Sequence, residues 1–265
     1  MRIGNQSREK EKTYSFFSMR VVDFVQEGKV QAALRAVELV RSGMFLGIGT
    51  GSTVEIFIDL LGKSVKEGKI SDLTVVCSSV RSEKACLEAG LSIESADSIQ
   101  ALNLYVDGAD EVTLKGISLK GMGGAHTREK LLRLIAKEFA IVVDASKVVS
   151  HLGAAVPICL EILPFCSAST LVRIKKCGLS IKNLRIRTKT RETFVSDNGN
   201  LIIDAFLSTP LRATTRELQL LENSIKTIPG VVESGLFALP ADIVVIGEGQ
   251  KARIVRPERN AGEIE

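Results

Sequence analysis

Four side chains in the middle of this chain have the types and spacing needed to move protons beside a developing negative charge: Asp107, Asp110, Lys120 and Glu129. Asp107 and Asp110 lie three residues apart around Gly108-Ala109, where the apolar run Leu104-Tyr105-Val106 ends. Acids buried there cost on the order of several kcal/mol unless they are hydrogen-bonded or meet a cation. Lys120 can be that cation, and it opens the loop Gly121-Met122-Gly123-Gly124-Ala125, whose amides can be aimed at a ligand. Glu129 falls in the first turn of a helix, where the dipole favours a carboxylate. It is also placed to deliver a base from a rigid helix start. The plain alternatives are a solvated acidic turn and a simple helix-terminus charge. Thr127 can cap this helix; with Lys130 then at N3 there is no capping box. His126 and His151 are weaker candidates.

A second kind of chemistry is anion binding. Gly49-Thr50-Gly51-Ser52-Thr53 offers consecutive amides and three hydroxyls at the start of a helix, where backbone N–H groups lack partners. The segment is neither GxGxxG nor the GxxxxGK[ST] phosphate loop, so a tight turn with an N-cap is the competing reading. Lys147, just past Asp144-Ala145-Ser146, adds a cationic group at a strand end.

The elements that must position these residues alternate. Helical spacing runs from Val30 to Arg41, and Met44–Ile48 is a short apolar strand. Helical spacing resumes over Val54–Leu61. Leu73–Cys77 is a second strand, and Arg81–Ala89 a helix closed by Gly90. Ile93 begins a short third strand, and Leu104–Val106 leads into the acids. Glu129–Lys137 reads as helix and Phe139–Val143 as a buried strand. Strand–helix alternation calls for a mostly parallel sheet with ligands beyond its carboxyl ends. After Pro157 the texture changes. Ile158–Leu163, Leu184–Arg187 and Leu201–Ala205 read as half-buried strands, and Ser167–Lys176 and Leu218–Thr227 as helices. Asp197-Asn198-Gly199-Asn200 is a hairpin-type turn. Ile243–Gly247 is one more apolar strand, able to return to the first sheet. Met1–Tyr14 reads as a disordered tail, with a start codon assigned too far upstream as the alternative.

Bulk composition narrows the classes. The 265 residues carry 35 Lys and Arg against 31 Asp and Glu, a diffuse net +4 that suits an anionic small substrate as well as nucleic acid. Neither tail shows helix-turn-helix patterning or a basic amphipathic helix, so no nucleic-acid partner is expected. The five cysteines form no CxxC pair and are odd in number; they read as small hydrophobes in a reducing, cytoplasmic compartment. With two histidines, a zinc site would need an unusual ligand set. No apolar run reaches the ~18 residues of a membrane span.

Taken together, these stretches resemble ribose-5-phosphate isomerase of the A type. The resemblance is carried by Gly47–Thr53, Tyr105–Glu111, Lys120–Gly121 through Thr127–Lys130, and Asp144–Lys147. It continues through Ile162–Phe165, Thr193 with Asp197–Asn200, and Ile228–Phe237, in order over residues 29–256. It implies an aldose–ketose isomerase interconverting D-ribose 5-phosphate and D-ribulose 5-phosphate in the non-oxidative pentose phosphate branch, without metal or cofactor and as a homodimer. It implies Glu129 as proton acceptor, with Asp107, Asp110 and Lys120 around the reacting end. Substrate contacts are implied for Lys29, Thr50, Gly51, Ser52, Thr53, Gly108, Ala109, Gly121, Met122, Gly123 and Lys147. The expected fold is α/β: a Rossmann-like, mostly parallel sheet with helices on both faces (29–153 and 231–256), plus a smaller α+β domain (154–230) available for oligomer contact. Residues 1–28 are expected to form a polar N-terminal extension. Met122 departs from the family's glycine run, so a positive φ at that position would strain the loop. His126 stands where an aliphatic residue is usual.

Chemically, Asp107 is expected to move protons during ring opening, and Asp110 to orient hydroxyls and hold Lys120. Two other classes compete: a coenzyme A transferase-like protein using a glutamate nucleophile, and a non-enzymatic sugar-phosphate sensor.

Overall fold

The computed structural model describes residues 22–258. The expectation of a disordered tail over Met1–Tyr14 lies outside them. Helix α1 covers residues 22–37, so residues 22–28, read from sequence as extension, are its first turns. Then follow β1 (Phe45–Ile48), α2 (Ser52–Lys66), β2 (Thr74–Cys77), α3 (Val80–Ala89) and β3 (Leu102–Asp107). Next come β4 (Glu111–Val112), β5 (Ser118–Leu119), α4 (His126–Ile135) and β6 (Ala136–Asp144). The second half holds β7 (Ile158–Ile162), α5 (Ser167–Ile174), β8 (Ile181–Ile186), β9 (Thr188–Lys189), β10 (Glu192–Thr193) and β11 (Leu201–Leu207). It closes with α6 (Thr215–Lys226), β12 (Val231–Ser234), β13 (Leu236–Phe237), β14 (Ile243–Glu248) and β15 (Lys251–Val255).

The main sheet has the order β15-β14-β6-β3-β1-β2, parallel except at β15. Its α/β, Rossmann-like character follows from apolar strands buried on both faces. Alternate side chains feed two cores. Ile48, Val106, Val142 and Val245 pack with Ala33, Phe57 and Leu61 from α1 and α2. Tyr105, Phe139, Ile141 and Val244 pack on the other face with Leu132 of α4. The chain steps from β1 outward to β2 and then back across to β3. That reversal opens a crevice between the ends of β1 and β3, the usual ligand position in such sheets.

A four-stranded antiparallel sheet, β12-β7-β11-β8, carries α5 and α6 over its own core of Leu160, Ile203, Leu218 and Ile225. This is the smaller α+β unit, and β12, assigned from sequence to the larger one, pairs with β7 inside it. A third small sheet, β13-β5-β4, had no sequence signal, because its strands are two residues long. Ile93 makes a single bridge to Val75 rather than a strand. Helix α4 starts three residues earlier than its spacing suggests and stops at Ile135. Ala136 already pairs with Leu102, so the sheet claims Lys137. Among the described residues no helix is long and apolar enough to cross a membrane. Of the five cysteines, Cys86 and Cys159 are buried, but Cys166 is exposed and not part of a core.

Candidate active site

The site begins with a glycine. A Cβ at Gly49 would stand 1.9 Å from the Asp107 carboxyl carbon, so only glycine lets the end of β1 pass beside that carboxylate. Asp107 is fully buried. Its Oδ1 accepts from the Thr50 amide (3.0 Å) and the Gly108 amide (2.7 Å), and its Oδ2 accepts from the Tyr105 hydroxyl. Lys120 Nζ lies 2.8 Å from the same Oδ2 and donates to the Gly108 carbonyl at 2.6 Å. Lys120 is set there by the short β5, and its own backbone amide bonds to Gly235 between β12 and β13.

Glu129 projects from the first turn of α4 and is 3% exposed. Its Oε2 is 3.2 Å from Lys120 Nζ, within ionic reach but outside hydrogen-bonding geometry. Burial, joined by the negative charge of Asp107, outweighs Lys120 and pushes the Glu129 pKa up to about 8. Burial alone would lower the Lys120 pKa; Asp107 and Glu129 reverse this and hold it above its ordinary value. Asp110 is also raised by burial, against the Met122 amide (3.0 Å to Oδ2) and the charges of Lys120 and Lys147. The result is a carboxyl group with a near-neutral pKa beside a buried cation.

These groups face a cavity of about 340 Å³. Its walls include every residue for which the resemblance implies a catalytic or substrate contact but one: Lys29, Thr50–Thr53, Gly108–Asp110, Lys120–Gly123, Glu129 and Lys147. The exception is Asp107, which lies behind the wall. Lys120 is therefore paired with Asp107 rather than with Asp110, and it is Asp110 that meets the cavity. Thr50 is also partly committed, its amide to Asp107 and its hydroxyl to Ser78 and Ser79. Helix α2 opens on Gly51 with no side-chain cap, which leaves its N-terminus facing the cavity. Lys29 reaches it from α1, donating to Ser52 Oγ at 3.0 Å.

Gly121 and Gly124 take the positive φ values of the glycine loop, +106° and +78°, whereas Met122 does not. The strain considered for Met122 is absent, and its side chain stands 48% exposed. Thr127 is not the helix cap: Ala125 occupies that position, and the Thr127 hydroxyl donates to Glu161. His126 is wholly buried, with its pKa pushed down to about 4 chiefly by burial, and does not line the cavity. His151 is likewise elsewhere. Sequence reasoning missed Arg81, on the cavity wall and 2.6 Å from Glu55. The rule that flagged Lys147, a cation just past a parallel strand, would have found it after β2. Among the described residues no cluster of His, Cys, Asp or Glu is arranged to hold a metal ion.

Comparison with known proteins agrees with this geometry. The model of the family "Ribose 5-phosphate isomerase A (phosphoriboisomerase A)" matches residues 74–251. Ribose-5-phosphate isomerase A of Thermosynechococcus vestitus is 37% identical over 227 residues, 85% of this chain and 93% of its own. That of Thermococcus kodakarensis is 38% identical, covering 86% and 97%. A solved D-ribose-5-phosphate isomerase in complex with phospho-erythronic acid superposes with a TM-score of 0.81 at 33% identity, over 88% of this chain and 99% of that one. The enzyme of Methanocaldococcus jannaschii gives 0.79 at 32%, over 87% and 99%. The chain belongs to the ribose 5-phosphate isomerase A family.

Proposed function

We propose that the protein interconverts D-ribose 5-phosphate and D-ribulose 5-phosphate through an enediolate, with Glu129 as the base. Family membership supports isomerase activity, and the observation that carries the mechanism is the buried Glu129 carboxyl with its raised pKa beside Lys120. In the open-chain aldose, Glu129 takes the C2 proton. The C2–H electrons become the C1=C2 bond, and the C1 carbonyl electrons move onto O1. Protonated Glu129 then returns its proton to C1, the O2 proton passes to O1, and C2=O forms. One carboxylate serves both transfers if it reaches both carbons. Lys120, kept charged by Asp107, stabilises the enediolate oxygens. Asp110, lining the cavity with a raised pKa, is the group for proton movement during ring opening. The phosphate sits at the N-terminus of α2, with Lys29, Arg81 and Lys147 as cationic neighbours, and its binding energy fixes the reacting carbons.

The solved relative's ligand, phospho-erythronic acid, pairs a phosphate with a carboxylate that imitates enediolate charge, and it should bind here too. The same reading has a metal-independent cytoplasmic homodimer. The test is incubation with ribose 5-phosphate, with and without EDTA, following ribulose 5-phosphate by NMR. Turnover unaffected by chelator is expected. No turnover, or turnover restored only by a divalent ion, overturns the reading.

A further inference from the structure

Arg187 follows β8 in the smaller sheet, yet its side chain, 10% exposed, ends at the glycine loop of the cavity. Nη1 donates to two consecutive carbonyls, Gly121 (2.6 Å) and Met122 (3.0 Å). Nε donates to Asp204 Oδ2 at 3.1 Å, while Nη2 is paired with Asp204 Oδ1 and lies 3.0 Å from Cys159 Sγ. Asp204, on the neighbouring β11, thus orients the guanidinium from behind. The Phe194 ring lies 5.9 Å from the guanidinium and also backs Gly124, where a Cβ would come within 2.4 Å of it.

Peptide geometry gives this arrangement its consequence. In a planar trans peptide, C=O and N–H point in opposite directions, and the described residues hold no cis bond. With both carbonyls drawn to Arg187, the Met122 and Gly123 N–H groups point the other way, to the cavity side. The Met122 N–H goes to Asp110. The Gly123 N–H finds no acceptor among the described residues, and Gly123 lines the cavity opposite Thr50.

We propose that Arg187 is a positioning residue for the isomerisation. By holding the Gly121 and Met122 carbonyls, it turns the Met122–Gly123 peptide so that the Gly123 N–H is offered to the substrate oxygen that becomes negative. The Gly121 carbonyl also accepts from the Gly124 N–H at 2.9 Å, so it is the Met122 carbonyl that, without Arg187, can rotate into the cavity and repel the enediolate. The inference rests on the function proposed above.

The test is Arg187→Lys. An ammonium can stay with Asp204, but as a single point it cannot also hold two carbonyls. The thermal midpoint and the KM for ribose 5-phosphate should change little, while kcat falls about 10²-fold. By calorimetry, phospho-erythronic acid should bind much more weakly and inorganic phosphate as in the wild type, since phosphate needs only the α2 end of the cavity. Arg187→Met with Asp204→Leu removes the whole pair without stranding a buried charge, and should show the same split even if Arg187→Lys does not fold. A folded variant with near wild-type kcat, or one losing phosphate and acid affinity equally, would overturn the proposal. Wild-type protein that fails to turn over ribose 5-phosphate would sink the functional reading instead, and the ratio of acid to phosphate affinity would still decide the role of Arg187.

Discussion

Glu129 and Glu161 are two glutamates at the same helix start, equally hidden from solvent and oppositely tuned. Glu129 stands in the first turn of α4, and Glu161, on β7, bonds to Thr127 in that turn. They are 3% and 0% exposed. Burial acts to raise both. At Glu161 it is overcome by four donors, the Thr127 and Ser196 hydroxyls and the Asn198 and Asn200 amides, which hold its pKa below the ordinary value. At Glu129 burial is reinforced by Asp107 and met only by Lys120, so the pKa rises. The donors around a buried carboxyl, rather than its depth, decide whether it stays ionised or keeps its proton.

The sharpest way to break this comparison is Glu129→Gln. The amide keeps the shape and removes the proton acceptor. If Glu129 is the base, kcat should fall by about 10²–10⁴ while the protein stays folded. Exchange of the substrate C2 proton with deuterated solvent, read by NMR, should stop. A folded variant that still exchanges at near wild-type rate would place the base elsewhere.

The two glutamates also differ in how they were legible in the sequence. Glu129 stood out because a carboxylate at a helix start near two aspartates and a lysine has an evident use. Glu161 did not, because it interrupts an apolar run on β7, and its partners come from a turn some 40 residues later. That turn, Asp197–Asn200, was read correctly as a turn. Its reach to Val80 and Arg128, through Asp197 and Asn198, is a tertiary fact that no local pattern encodes. The parallel sheet was readable from strand–helix alternation. The small β13-β5-β4 sheet that places Lys120 was not, since two-residue strands carry no period. Which of Asp107 and Asp110 pairs with Lys120 was hidden for a related reason. Spacing put both at the strand end, but only the pleat decides that Asp107 turns inward to Tyr105 and Lys120.

Acidity offers a smaller but graded contrast. Glutamate titrates near 4.5 when unperturbed and near 8 at position 129. Between these values the native state keeps a proton that the unfolded chain has released. The resulting stabilisation is complete below pH 4.5 and is lost as pH rises towards 8. Relative to Glu129→Gln, the wild-type thermal midpoint should therefore decline across that window. Catalysis should run the other way, because the free enzyme needs the carboxylate: kcat/KM should fall about tenfold per pH unit below 8. Measurements above pH ~6.5 avoid the substrate's own second phosphate ionisation, near 6. A flat profile from pH 6.5 to 8 would mean that Glu129 is already ionised and the contrast with Glu161 is lost.

Thr127→Val carries the smallest expected effect and bears most directly on the anchor. Valine keeps the branched shape of threonine and removes only the hydroxyl that donates to Glu161 Oε2. Three donors to Oε1 remain, so the carboxylate should stay ionised and the Asp197–Asn200 turn should stay docked. A hydrogen bond to a charged group contributes roughly 1.5–3 kcal/mol, and the half-buried position of Thr127 argues for the lower end. Chemical denaturation should show a loss of about 1–2 kcal/mol with an unchanged slope. The catalytic expectation is the informative half. Thr127 is two residues from Glu129 on the same turn, so its neighbour's carboxyl would move if the Glu161 contact set the pitch of α4. The helix is held independently, however, by Lys130, whose ammonium donates to Glu222, Glu233 and the carbonyls of Ser234 and Leu236. Position and protonation of Glu129 should then be untouched, and kcat and its pH midpoint should match the wild type. A shifted midpoint in a folded Thr127→Val protein would show that the two glutamates are coupled through the helix start, and that anchor and base are one system.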